Sequence, residues 1–239
     1  MDQAVYYRFG QLEIIHLHNK RFTYSEHNHV SVYTIGFVLN GEITLKCSGH
    51  NSCYTAHSYF VIMPYQVHAL LLPDNYDMLS ICINKKVITT HKQYELFDVL
   101  SHMLLQLPVS VDYALLAEAI TIMYEYEAPQ TEAPIILSSA LSLWRNPEIN
   151  KDLRMTAEQA NYSMYHYIKI FRQHIGMTPH KFQIQNKVRK AQRMIEKGAV
   201  SADVALDLGF YDQSHFIKCF KNIVGLTPGE YRKAAKTLT

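Results

Sequence analysis

The 239-residue chain is long enough for two domains with separate cores, and a hydrophobic content of 48% excludes a disordered protein. No apolar run reaches the roughly 18 residues of a membrane-spanning helix and no signal pattern opens the chain, so a soluble cytoplasmic protein is expected. The net charge of +2 conceals a division: residues 134–239 hold 16 Lys and Arg against 8 Asp and Glu, whereas residues 1–133 hold 7 against 13. The basic half therefore points to phosphate backbone and the acidic half does not. Cys47, Cys53, Cys82 and Cys219 are scattered without a Cys-x-x-Cys, a pattern that fits reduced thiols better than disulfides.

Residues 11–88 read as short strands. Leu12–His18, Val32–Leu39, Glu42–Lys46, Tyr59–Met63 and Met78–Ile83 are rich in β-branched and aromatic residues, and Asn40-Gly41 between two of them is a hairpin signal. Strands at this spacing predict a small barrel or sandwich. From about His91 the period becomes helical. Tyr94, Phe97, Leu100, Leu104 and Leu107 form one stripe, Leu115, Ala119, Ile122 and Tyr126 a second, and Pro108 separates them into an antiparallel pair. These helices either cover the strands or pair two copies of the chain. Residues 128–134 have the Pro-bearing, aliphatic-poor character of a linker. The expected division is 1–127 for a strand-rich unit with its two helices, 128–134 for the linker, and 135–239 for a helical domain that opens with a helix over Ile135–Trp144, and the resemblances described below imply sensing and dimerisation for the first of these.

Within the helical part the sequence repeats at a shift of 49 residues. Tyr167 falls on Phe216, Lys169 on Lys218, Phe171-Arg172 on Phe220-Lys221, Gly176-x-Thr178-Pro179 on Gly225-x-Thr227-Pro228, and Phe182 on Tyr231. Ser163 and Asp212 are side chains that cap a helix start. Apolar residues at i, i+4 and i+7 follow each cap, and a glycine able to take positive φ ends each helix. A short helix precedes each cap, Thr156 to about Ala160, opened by a Thr-x-x-Gln capping box, and Ser201–Leu208. Helix, tight turn and a second helix with a basic outer stripe is the helix-turn-helix arrangement, whose second helix enters the major groove. A joining helix from about His180 to Lys197 spans about 27 Å. That suits two reading helices in successive grooves about 34 Å apart.

The region from about Ile135 to Lys236 resembles the DNA-binding domain of the AraC-type transcription regulators. The resemblance rests on Ala157, Ser163, Phe171 and Gly176, on Arg189-x-Ala191, and on Ala205, Gly209-Phe210, Gln213-Ser214-x-Phe216, Phe220-Lys221, Gly225, Thr227-Pro228 and Tyr231-Arg232. Thr156 and Tyr167 stand where leucine is usual, and Asn161 holds a turn where glycine is commoner; Asn tolerates the left-handed conformation. The resemblance implies that Tyr165 and Lys169 of the first reading helix, and Gln213, Ser214, His215 and Lys218 of the second, meet base edges. It places Arg172 and Lys221 near phosphates. Its implied partners are double-stranded promoter DNA, RNA polymerase, an effector and a second copy of the chain.

The run from Glu26 to His68 resembles, more loosely, the cupin-like sensor domain common in that family, which implies an α+β chain with an N-terminal cupin-like β-barrel and helices, followed by an all-α domain with two helix-turn-helix motifs. Cupin enzymes hold a metal with a His-x-His pair, a Glu and a later His. His27, His29 and His68 match, but Val32 and Tyr33 occupy the Glu position, which argues against the competing reading of a metal-dependent cupin enzyme. Residues i and i+2 of a strand share a face, so His27 and His29 converge on His68, with His16 and His18 as further contacts. Such imidazole donors suit Ni, Co, Zn or Cu as an effector ion. The alternative is an organic effector held by the same histidines and by tyrosines such as Tyr24 or Tyr33. The bland alternative for an isolated His-x-His is a surface or turn pair.

Overall fold

The computed structural model describes residues 3–20, 24–71, 75–127, 134–149 and 152–237. By their contacts they divide into two units, Met1–Thr23, His29–Ala128 and Ala234–Thr239 in the first, and Tyr24–Asn28 and Pro129–Lys233 in the second. The expected linker, 128–134, lies outside the described residues except for Pro134, which opens a helix.

The first unit contains β1 (Gln3–Phe9), β2 (Leu12–Lys20), β4 (Val32–Asn40), β5 (Glu42–Cys47), β6 (His50–Thr55), β7 (Ser58–Ile62), β8 (His68–Leu71) and β9 (Tyr76–Asn84), then α1 (Lys85–Thr90), α2 (Gln93–Leu104) and α3 (Tyr113–Glu125). The short strand Tyr24–His27, β3, groups with the second unit. One sheet has the order β1-β2-β9-β4-β7, all antiparallel, and β10 (Ala235–Thr237) adds to β1 in parallel. In the other, β5 pairs with β8 on one side and β6 on the other.

Register decides which side of the larger sheet is buried under helices. Ile35 lies opposite Ile81 and Ile14 opposite the same residue from the other side, so Tyr33, Ile35, Phe37, Leu79, Ile81, Ile83, Leu12 and Ile14 share one face. Over it α2 and α3 lay Leu96, Leu100, Leu104, Leu116, Ala119, Ile120 and Met123. On the opposite face Gly36 makes room for an aromatic ring, since a Cβ there would meet Phe60 at 2.1 Å.

Two expectations are corrected here. Asn40-Gly41 is not a hairpin turn within one sheet: Gly41 takes φ 76°, but the turn carries the chain from β4 in the larger sheet to β5 in the other. The expected stripes hold in part: Leu100, Leu104, Leu107 and Ala119 are buried, but two of their members are replaced by neighbours. Leu96 and Leu116 are buried, whereas Tyr94 is 61% and Ile122 38% exposed.

The second unit is α4 (Pro134–Arg145), α5 (Leu153–Gln159), α6 (Met164–Ile175), α7 (Pro179–Glu196), α8 (Ser201–Asp207), α9 (Gln213–Val224) and α10 (Pro228–Ala234). The 49-residue repeat is a repeat of packing. Phe171 meets Phe182 edge-on with ring centres 5.9 Å apart, and their counterparts Phe220 and Tyr231 meet the same way at 5.5 Å. Tyr167 and Phe171 on α6, and Phe216 and Phe220 on α9, are fully buried. The four rings that place the reading helices therefore recur in pairs of matching geometry. One helix start departs from expectation: α5 begins at Leu153, capped by Asp152, whose side chain accepts from the Arg154 N–H. Thr156 sits one turn inside and returns its hydroxyl to the Asp152 carbonyl.

Candidate nucleic-acid interface and effector site

Each reading helix is cut out by local chemistry at both ends. Ser163 Oγ accepts from the His166 N–H and Asp212 Oδ1 from the His215 N–H, three residues into each helix. Gly176 and Gly225 end the helices at φ 84° and 82°, and their N–H groups donate to Arg172 and Lys221 carbonyls. The turn before α6 uses Asn161 at φ 57° where Gly209, at φ 63°, serves the second motif. With caps and stops in register, both helices are 12 residues long and expose the same face.

That face carries the residues expected from the sequence. Tyr165 is 80% exposed beside Lys169 and Arg172 on α6, and Gln213, Ser214, Lys218 and Lys221 are exposed on α9. Among the described residues none of Lys169, Arg172, Lys218 and Lys221 is ion-paired, so their charges face solvent. His215 differs from its neighbours. It is half-buried with its ring edge-on to Phe210 at 5.7 Å, and its Nδ1 is buried without a hydrogen-bond partner.

Lys187 of α7 is a further residue that sequence reasoning passed over. It is 2% exposed, donates from Nζ to the Gly209 carbonyl at 2.8 Å, and lies 5.5 Å from the Phe210 ring centre. Burial lowers its pKa, opposed by Glu148 and Cys219. It ties the turn of the second motif to the joining helix. In a sequence it reads as one more basic surface residue.

Among the histidines, the structure brings His29 and His68 together in the first unit. Their rings stack at 5.2 Å with planes 16° apart, and His68, only 6% exposed, has its Nδ1 3.0 Å from the Gln66 carbonyl. The turn between β7 and β8 supports the pair. Tyr65 takes φ 69°, a conformation rare for an aromatic residue, and donates its N–H to the His29 carbonyl at 2.6 Å. His27 lies in the Tyr24–Asn28 segment, with Nδ1 2.8 Å from the Ser25 carbonyl. His16 and His18 do not join the pair. His18 is engaged by Asp77 at 2.9 Å, and His16, whose pKa burial lowers with help from His18, pairs across the sheet with Leu79. Tyr33 is 6% exposed, and burial raises its pKa.

Residues 156–234 match the family model of a helix-turn-helix domain, a span that holds both repeats, both caps and both terminating glycines. This stretch, about a third of the chain, is a helix-turn-helix domain of AraC type. An HTH-type transcriptional regulator of Haemophilus influenzae is 32% identical over 98 residues, 41% of this chain and 33% of that protein. The match thus spans about a third of that relative's length. Across both units the chain is similar to ToxT from Vibrio cholerae O395, with a TM-score of 0.62 at 12% identity over 94% of this chain and 97% of ToxT. A ToxT from strain SCE256 with a bound unsaturated fatty acid gives a TM-score of 0.59 at 13% identity over 97% and 96% of the two chains. At these identities the likeness is one of fold. The AraC-type domain accounts for the basic half of the chain, and the ToxT-like fold extends over the strand-rich half as well.

Proposed function

We propose that the chain is a sequence-specific transcription regulator whose AraC-type domain reads two successive major grooves of promoter DNA under control of an effector bound by the N-terminal unit. The observation that supports it most is the pair of equivalent reading helices, each with unpaired cations and free polar side chains on one exposed face. Lys bonds guanine O6 and N7, and Gln pairs with adenine, so Lys169, Lys218 and Gln213 are the base readers. Arg172 and Lys221, farther along each helix, take phosphates, and Ser214 and Tyr165 border the base edges. His215, leaning on Phe210, contributes less than its position in the motif implies. RNA polymerase is the second macromolecular partner that such a role requires. No helix among the described residues is long and apolar enough to cross a membrane, and a cytoplasmic location goes with the proposed role. A regulatory rather than enzymatic role is favoured because Val32 and Tyr33 occupy the position where a cupin enzyme keeps its Glu.

For the effector, a transition metal ion is the first reading. His29 and His68 are already stacked in the strand-rich unit, two donors of the set expected from the sequence. Neutral imidazoles without a carboxylate favour Zn, Ni, Cu or Co over Mg or Ca. The second reading, an apolar carboxylate held by the same histidines, draws on the ToxT whose bound ligand is an unsaturated fatty acid. A homodimer is proposed through the outer sides of α2 and α3, where Tyr94, Leu105 and Ile122 are exposed.

Three measurements test these proposals. With on the order of 6 phosphate contacts, log K for a duplex selected from random DNA by the chain falls against log[salt] with a slope of about −5; a slope near zero removes DNA as the main partner. Calorimetric titration with Ni, Co, Zn and Cu is expected to give heat that a His29→Ala/His68→Ala variant loses. Heat from a fatty acid instead supports the second reading, and no heat from any of them removes the histidines as an effector site. Sedimentation of the full chain is expected to show a dimer that Leu105→Glu/Ile122→Glu converts to monomer, and an unchanged dimer in that variant returns α2 and α3 to the role of covering the sheet.

A further inference from the structure

We propose that the segment Tyr24–Asn28 is a positioning element for DNA reading, which ties the C-terminal ends of both reading helices to α7 and so sets the separation at which α6 and α9 meet the duplex. The proposal rests on the DNA-binding reading above and extends it to residues outside both helix-turn-helix motifs.

Asn28 carries the argument. It is fully buried within the helical unit, and each of its polar groups is used. Its N–H donates to Gln185 Oε1 at 3.0 Å while its Oδ1 accepts from Gln185 Nε2 at 3.0 Å, a reciprocal pair between two side chains of 0% and 2% exposure. Its Nδ2 donates to the Ile175 carbonyl at 2.7 Å, and its own carbonyl accepts from Arg189. Ile175 is the last residue of α6, where helix geometry leaves carbonyls without an intrahelical partner. Gln185 and Arg189 lie one turn apart on α7. A single side chain thus joins the end of the first reading helix to the middle of the joining helix.

Three residues earlier the same segment reaches the second reading helix. Ser25 Oγ donates to the Asn222 carbonyl, in the last turn of α9, at 3.2 Å. Glu26 faces Lys181 of α7 at 4.0 Å. Both carbonyls, Ile175 for Asn28 and Asn222 for Ser25, lie in the last turn of helices that the 49-residue repeat makes equivalent, Asn222 two residues earlier in the repeat than Ile175. A brace fixed at both ends limits the tilt of one helix relative to the other. A cavity of about 190 Å³ is lined by Ser25, Glu26 and His27 of the segment and by Lys181, Cys219 and Ile223 among others. Because Asn28 and Gln185 are buried, breaking the pair leaves polar groups unsatisfied and makes docking nearly all-or-none.

A brace of this kind affects spacing selectivity, whereas a merely structural contact affects affinity uniformly. The test uses full-length protein and a duplex selected from random DNA by the unaltered chain, then the same duplex with one base pair inserted or removed between the two contacted grooves. The unaltered chain is expected to lose about tenfold in affinity on the spacing change, since one base pair shifts and rotates the second groove. Asn28→Ala and the exposed Ser25→Ala are expected to bind the parent duplex more weakly and to show a spacing penalty reduced by about threefold or more, with Ser25→Thr restoring it. Ser25→Ala removes one surface hydrogen bond and keeps the fold, so it decides the matter should Asn28→Ala fail to fold. Equal spacing penalties in the unaltered chain and Ser25→Ala overturn the brace and leave the DNA reading standing. Failure of the unaltered chain to select any duplex overturns the DNA reading and the brace with it.

Discussion

The edge-to-face contact between an aromatic ring on each of the equivalent helices α6 and α9 and one on the helix that follows is the constraint on which the helical half depends. Phe171 against Phe182 and Phe220 against Tyr231 are fully buried, and pairs of this kind contribute about 0.5–1.5 kcal/mol beyond the burial of their area. Direction matters here more than energy. A 12-residue helix with one buried face has its opposite face assigned to solvent, and repeating the ring contact 49 residues later assigns both outer faces in the same way. Whatever Lys169 and Lys218 touch, they touch it in equivalent orientations.

Polar groups in the interior of the helical unit add specificity to that packing. Lys187, with its ammonium on the Gly209 carbonyl, holds the turn before α9 from below. Burying an ammonium is costly, and here the cost is offset by a carbonyl, an aromatic face and Glu148 within electrostatic reach. Asn28 and Gln185 do comparable work at the end of α6 with neutral amides. Tyr231 adds a hydroxyl bond to Glu196 at 2.5 Å, at the end of α7. Apolar contacts alone tolerate small slides between helices; these directional bonds do not.

Much of this was legible in the sequence where the signal was local. Ser163, Asp212, Gly176 and Gly225 act within four residues of their own position, and Asn161 needs only a left-handed turn, so caps, stops and turn could be read residue by residue. Elsewhere competing local signals misled. Thr156 with Gln159 resembles a capping box, yet Asp152 caps the helix one turn earlier and takes Thr156 into it. The face of α3 was misjudged because YALLAEAITIMYE is apolar on several sides, and periodicity cannot select among them. The destination of the Asn40-Gly41 turn depends on pairing with β9, β7 and β8, information that no two-residue signal contains. Asn28, Gln185 and Lys187 were missed for a related reason: a buried polar residue is identified only by partners distant in sequence, 157 residues away for Asn28 and Gln185. The histidines fell between these cases. The likeness to the cupin pattern singled out His29 and His68, which do stack, whereas His16 and His18, expected as further contacts, lie apart because Asp77 engages His18 and His16 sits within the sheet.

The central claim is that two equivalent helices read two successive grooves from one side of the duplex. Hydroxyl-radical and methylation-interference footprints on the selected DNA test it directly, with Lys169→Ala and Lys218→Ala run beside the unaltered chain. The account predicts two protected major-groove patches about one helical turn apart on one face, the first patch weakened by Lys169→Ala alone and the second by Lys218→Ala alone. A single continuous patch, or the loss of the same patch in both variants, would contradict it.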